Sequence, residues 1–263
     1  MKKIRLIDLS LPLMNANEEE KGFPTSNLQP KIKYETHIET AHQFTDYLGC
    51  NKDLVPLGNA WETLELVAHA GTHVDAPFHF YPTTENGTKA AYTVDEIPLE
   101  WFYQNGVVLD LRHIPSGMQA TVDDIQEALK KISYKIQPLD IVCLWFGKDK
   151  EHGKASYWES YPGITAGVVH YLVDQGVKVI ATDSLGQDHP FIKMKEKFDK
   201  TGDIDVVWEA HRVGKEKEFC NIEKMANLEQ LPPFGFKIAC FPIPIKGASG
   251  GWCRPIAIIE EEV

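Results

Sequence analysis

A chain of 263 residues that is 43% hydrophobic, 10% aromatic and 25% charged has the make-up of a globular protein with a sizeable core, which excludes a disordered or fibrous chain. Its formal net charge of −11, with no block of basic residues, argues against binding a nucleic-acid backbone. Arg5 and Asp8 interrupt the apolar stretch a signal peptide needs, no 18 apolar residues run together, and the five cysteines lack C-x-x-C spacing. These features predict a cytoplasmic chain without membrane contact, disulfide framework or thiolate zinc site.

Residues 4–9 read as a first strand. Residues 12–60 are polar, rich in Pro and Gly and only weakly periodic; they read as a long irregular insertion suited to a lid or an oligomer contact. Leu64, Leu66, Ala68 and Ala70 then alternate with Thr63, Glu65, Val67 and His69, which predicts a strand with two unlike faces. Further strands are expected at 106–111, 140–145, 177–182, 236–241 and 255–259. Thr121-Val122-Asp123-Asp124 reads as a capped helix start, followed by the stripe Ile125, Leu129 and Ile132. A second helix spans 165–175 and stops at Gly176, and a third spans about 204–217. Interleaved strands and helices, without repeats or a linker, predict a single α/β domain over residues 1–263.

The chemistry concentrates in His69-Ala70-Gly71-Thr72-His73-Val74-Asp75-Ala76-Pro77-Phe78-His79. His69, His73, Asp75 and His79 all lie at odd positions, so an extended chain presents them on one face, opposite Leu64, Leu66 and Ala68. A helix, turning about 100° per residue, would scatter them, and Gly71 and Pro77 also disfavour it. Imidazole nitrogens with one carboxylate are the donors that zinc, manganese or iron accept at open catalytic sites, which makes His69, His73 and Asp75 a candidate ligand set. Burying four such groups without an ion would leave polar atoms unpaired.

This run resembles the signature H-x-G-T-H-x-D-x-P-x-H of the cyclase-like metal-dependent hydrolases, the family of bacterial kynurenine formamidases and isatin hydrolases. The likeness extends to Asp8-Leu9-Ser10, Tyr161-Pro162-Gly163, Thr182-Asp183-Ser184 with Asp188, and the stretch from Gly247 to Arg254-Pro255-Ile256-Ala257. The resemblance implies a swivelling β/β/α-like fold with a mixed central β-sheet flanked by helices. It also implies that His69, His73 and Asp75 bind a divalent metal, zinc or manganese, while His79 transfers protons. His211, together with Glu223 in Asn221-Ile222-Glu223-Lys224-Met225, looks like the family's second ligand pair, which joins Asp75 around a second ion in binuclear members. One or two ions per subunit and a homo-oligomer, dimer or tetramer, follow from the same likeness. Phe23-Pro24-Thr25 and Trp252-Cys253 depart from the formamidase pattern; the longer insertion and Trp61 are more similar to isatin hydrolases.

The activity this implies is hydrolysis of a cyclic amide, a lactone, or an N-formyl or aryl-amide bond in a small molecule, by metal-activated water with His79 moving the proton. Phe23, Phe78 and Trp252 are candidates to sandwich a planar substrate. Two other readings keep the metal site: a small-molecule binding protein without turnover, and a dehydrating cyclase. Asp183, Asp188 and His189 form a second polar cluster after a strand, compatible with a site or a turn. His37, His42, His113, His152 and His170 have no ligand spacing, and Cys253 is assigned no catalysis. No phosphate loop, dinucleotide fingerprint or G-x-S-x-G nucleophile elbow is read, so nucleotide-dependent and serine-hydrolase chemistry are not expected.

Overall fold

Uninterrupted apolar runs such as Val107-Val108-Leu109, Ile141-Val142-Cys143-Leu144 and Val179-Ile180-Ala181 suit strands covered on both faces. In the computed structural model, which describes residues 2–20 and 29–262, they lie at the centre of one mixed sheet. Among the described residues this sheet has nine strands: β1 (Lys2–Asp8), β2 (His73–Asp75), β3 (Tyr103–Asp110), β4 (Ile141–Trp145), β5 (Val179–Thr182), β6 (Cys220–Glu223), β7 (Phe236–Ala239), β8 (Gly250–Trp252) and β9 (Ile256–Glu262). Their spatial order is β1-β9-β7-β3-β4-β5-β6-β2-β8. Strands β3 to β6 run parallel, and the other pairings are antiparallel.

The helices are α1 (His37–Leu48), α2 (Pro77–Phe80), α3 (Val122–Lys131), α4 (Ala155–Glu159), α5 (Ala166–Val173), α6 (Phe191–Thr201) and α7 (Glu209–Arg212). Thr121 caps α3 and shares a capping box with Asp124, so the first-turn N–H groups find acceptors. Ile125 and Leu129 of α3 and Val168 and Leu172 of α5 pack on Val107, Leu109, Val142, Leu144 and Ile180. Each such buried side chain contributes about 1.5–3 kcal/mol. Val108, Ile141, Cys143, Val179 and Ala181 face the other way, into a core shared with Val74, Ile222 and Ala257. That sharing reflects a curled sheet. Ala226 N donates to Leu9 O (2.9 Å) and Leu11 N to Thr72 Oγ1 (2.8 Å), joining the exit of β1 to segments beside β6 and β2.

Three segments differ from the sequence reading. The insertion read as irregular contains α1, which has its own capping box (Thr36 with Glu39) and a left-handed Gly49 at its end. The strand expected through Ala70 stops at Glu65. Trp61–Glu65 pairs with Lys31–Glu35 in an exposed ribbon, and the chain then turns, with Ala70 N donating to Val67 O. The helix expected over 204–217 is broken at Trp208, whose φ of 59° lies in the left-handed region. Among the described residues no helix is long and apolar enough to cross a membrane.

Candidate metal centre

The histidine-rich run converges through bends instead of strand alternation. His69 lies in a turn, Gly71 takes φ +60° with Leu13 packed where a Cβ would stand, and only His73–Asp75 is strand. Pro77 then starts the short helix α2, where its missing N–H costs nothing. Thr72 pins the turn: its hydroxyl donates to Lys224 O and accepts from Leu11 N. His79 emerges on α2 with its ring centroid 4.1 Å from that of His69.

Strand β2 lies between β6 and β8, so His73 is opposite Glu223 and Trp252, and Asp75 is opposite Asn221 and Gly250. His73 Nδ1–H donates to Gly71 O (2.9 Å), which turns Nε2 toward the carboxylates, 3.0 Å from Asp75 Oδ1 and 3.8 Å from Glu223 Oε2. His69 Nδ1 lies 2.6 Å from Asp75 Oδ1, and its Nε2 lies 2.9 Å from Ser249 Oγ. Gly250 makes room for this ring, since a Cβ there would stand 2.8 Å from His69 Cε1 and 2.8 Å from Val74 O.

His211 arrives from α7. Asp188 accepts from Ala210 N (2.9 Å), His211 N (3.1 Å) and His211 Nδ1 (2.5 Å), which fixes the ring with Nε2 3.9 Å from both Asp75 Oδ2 and Glu223 Oε1. Glu223 Oε1 accepts from Asn221 Nδ2 and Gln187 N, each at 3.0 Å. Among the described residues two triads of donor atoms result, His69–His73–Asp75 and Asp75–His79–His211, each with its atoms within 4.8 Å of one another. The buried atoms His73 Nε2 and Asp75 Oδ2 have no hydrogen-bond partner. Buried atoms left without partners in a set of imidazoles and carboxylates fit a divalent cation.

The electrostatics are consistent with that fit. Burial alone would raise the Asp75 carboxyl, but His79, His73 and His69 around it hold it well below the usual carboxylate range. Desolvation pushes His79 down to about 4, against the pull of Asp75, although the residue reaches solvent at the rim. His211 is lowered by burial yet ends at about 9, because Asp188, Glu223 and Asp75 surround it with negative charge.

A cavity of about 360 Å³ opens on these groups, lined on its apolar side by Tyr161, Leu185, Phe191, Met194 and Trp208. Neither Phe78 nor Trp252, expected to hold a planar substrate, lines it. Phe78 follows Pro77 on α2 and is turned about 100° from His79, into solvent. Trp252 donates its indole N–H to Val67 O (3.1 Å) and belongs to a separate basin with Phe241 and Ile243. Phe23 lies outside the described residues.

Of the second polar cluster, Asp188 orients His211, whereas Asp183 accepts three backbone N–H groups, from Phe146, Gly147 and Lys148, and ties β5 to the loop after β4. His189 borders a different basin, with Lys193 and Lys197. His37, His42, His113, His152 and His170 lie outside both donor triads. Burial and Asp75 push the Cys253 thiol up, away from thiolate chemistry. The expectation of no G-x-S-x-G spacing is corrected: Gly247-Ala248-Ser249-Gly250-Gly251 carries it, and Ser249 Oγ lies 2.9 Å from His69 Nε2.

The family model described as "Putative cyclase" matches residues 7–189. Cyclase-like protein 3 of Oryza sativa subsp. japonica is 24% identical over 200 residues, covering 74% of this chain and 64% of that protein, so the match spans less than two thirds of the rice protein. The kynurenine formamidase of Salinibacter ruber is 24% identical over 200 residues, covering 74% of this chain and 77% of that protein. Among solved structures, an isatin hydrolase bound to the product analogue thioisatinate superposes with a TM-score of 0.73 at 19% identity, covering 98% of this chain and 93% of that one. That likeness shows the same fold. With the family model matching well over half its length, the chain belongs to the putative cyclase family.

Proposed function

We propose that this chain is a metal-dependent hydrolase of a carbon–nitrogen amide bond in a small cyclic or N-acylated aromatic molecule, with lactones as related candidates. The observation that carries the reading is the pair of orphaned buried atoms, His73 Nε2 and Asp75 Oδ2, facing His69, His211 and Glu223 at the wall of a cavity that has His79 on its rim. The formamidase relative and the isatin hydrolase neighbour support the reaction class.

In this reading His69, His73 and Asp75 hold a divalent ion, zinc or manganese by their donor chemistry, while His211 and Glu223 stand beside Asp75 where a second ion would lie. Such an ion polarises a carbonyl and lowers the pKa of water. His73 is kept in one tautomer by Gly71 O, and Asp188 keeps the His211 ring turned toward Asp75. His79, neutral at neutral pH, takes the proton from attacking water on its imidazole and returns it to the departing nitrogen. Tyr161, Phe191 and Trp208 exclude water and face a planar substrate.

The proposal covers the whole chain as one domain, supported by a single sheet that contains both β1 and β9. It includes a homo-oligomer, for which Ile38, Tyr47, Leu48 and Leu54 offer exposed apolar surface, and a cytoplasmic location, supported by five unpaired cysteines. Metal-depleted and metal-restored protein should be compared on N-formylanilines, isatin, cyclic imides and lactones. Metal-dependent turnover of at least one class is the expected result, and no turnover of any class with metal bound would remove the hydrolase reading.

One observation favours a second mechanism. Ser249 Oγ, His69 and Asp75 are hydrogen-bonded in the order of a nucleophile–base–orienter triad. Ser249, however, precedes strand β8 instead of opening a helix, and it does not line the cavity. Ser249→Ala should therefore retain turnover; loss of turnover with metal retained, together with a trapped acyl-serine, would establish the covalent route.

A further inference from the structure

Resting on the metal-centre reading above, we infer that Lys224 is a positioning residue that limits this centre to one divalent ion. The two donor triads share Asp75, and Glu223, which belongs to neither, stands 3.9 Å from His211 Nε2, so a second ion beside Asp75 and His211 would lie against Glu223. Lys224 changes the balance between them. It directly follows Glu223, is 4% exposed, and holds φ +60°, a conformation that a side chain with a Cβ adopts at a cost.

The surrounding structure enforces that conformation. Lys224 N donates to Ser184 O, and its carbonyl accepts the Thr72 hydroxyl. The side chain consequently turns inward: Nζ donates to His69 O (3.2 Å) and to Glu223 Oε2 (3.4 Å), and the residue borders the substrate cavity.

Both oxygens of Glu223 are thereby engaged. Oε1 accepts from Asn221 Nδ2 and Gln187 N, while Oε2, the oxygen nearer His73, meets the ammonium. The charges lead to the same conclusion. The buried carboxylate of Glu223 already has the Lys224 ammonium beside it. A second divalent ion would add two positive charges to a buried site that already holds that ammonium, which is costly. Lys224 therefore supplies, from the chain itself, the positive charge that a second ion would bring to Glu223.

The test is metal stoichiometry on the full-length protein, by equilibrium dialysis against Zn²⁺ and Mn²⁺ followed by elemental analysis. The wild type should saturate at one ion per chain. Lys224→Met and Lys224→Gln should each accept a second ion, with its affinity raised by about tenfold or more over any second binding in the wild type. Two tightly held ions in the wild type, or one ion only in both folded variants, would overturn the inference. A wild type that binds no ion would instead remove the metal-centre reading beneath it. Circular dichroism checks folding of each variant, and the wild-type stoichiometry decides by itself should neither fold.

Discussion

Glu223 stands opposite His73 in the antiparallel pairing of β6 with β2, which places its Oε2 3.8 Å from His73 Nε2. Because β6 is an interior strand bonded on both sides, to β5 and β2, this approach is set by backbone ladders and does not depend on a loop. The first and second groups of candidate ligands, distant in sequence, are thus held in one rigid frame.

Holding an ion and moving a proton should separate in mutants. His73→Ala and Asp75→Ala should lose bound metal together with activity. His79→Ala should keep metal near the wild-type level while its rate falls by about 10²–10⁴. Elemental analysis beside steady-state kinetics checks this, and equal metal loss in His79→Ala would make His79 a ligand.

Gly250→Ala tests the packing beneath His69. The new methyl would stand 2.8 Å from both the His69 ring and Val74 O, so either the ring or the β2–β8 pairing must yield. Destabilisation of about 1–3 kcal/mol is expected by urea titration, with metal affinity weakened by about 10–100-fold in dialysis. An unchanged affinity would mean that the His69 orientation does not matter.

The His211–Asp188 contact predicts a pH dependence for the metal-free protein. The folded-state pKa of His211, about 9, lies above its ordinary 6.5, so its contribution to stability is fully present below pH 6.5 and is lost as pH rises through 9. The contribution is worth up to about 3 kcal/mol. Urea midpoints measured from pH 6 to 10 should fall over that window, and Asp188→Asn should flatten the fall.

Much of the sheet was legible because strands β3, β4 and β5, covered on both faces, are written as unbroken apolar runs, and Thr121 with Asp124 marked the start of α3. The short strands β2, β6 and β8 were not, since three or four residues carry too little periodicity. Helix α1 was hidden because Ile38, Tyr47 and Leu48 are exposed and leave no clear buried stripe. At the centre, the density of His69, His73, Asp75 and His79 was visible in sequence, but the reason for their convergence was not: turns at Ala70 and Gly71 and the helix at Pro77 achieve what alternation would not. His211 and Glu223 were available only through resemblance. The roles of Asp188, Ser249 and Lys224 depend on contacts between residues far apart in the chain, which neither spacing nor composition encodes.

The central claim, that these side chains form a metal centre, is tested most directly by an anomalous-difference map collected at the metal absorption edge from crystals of the wild-type protein. The account predicts a peak within about 2.5 Å of His73 Nε2 and an Asp75 oxygen, with His79 on the cavity side. A metal peak elsewhere in the molecule, with His73 and Asp75 contacting only each other, would contradict it.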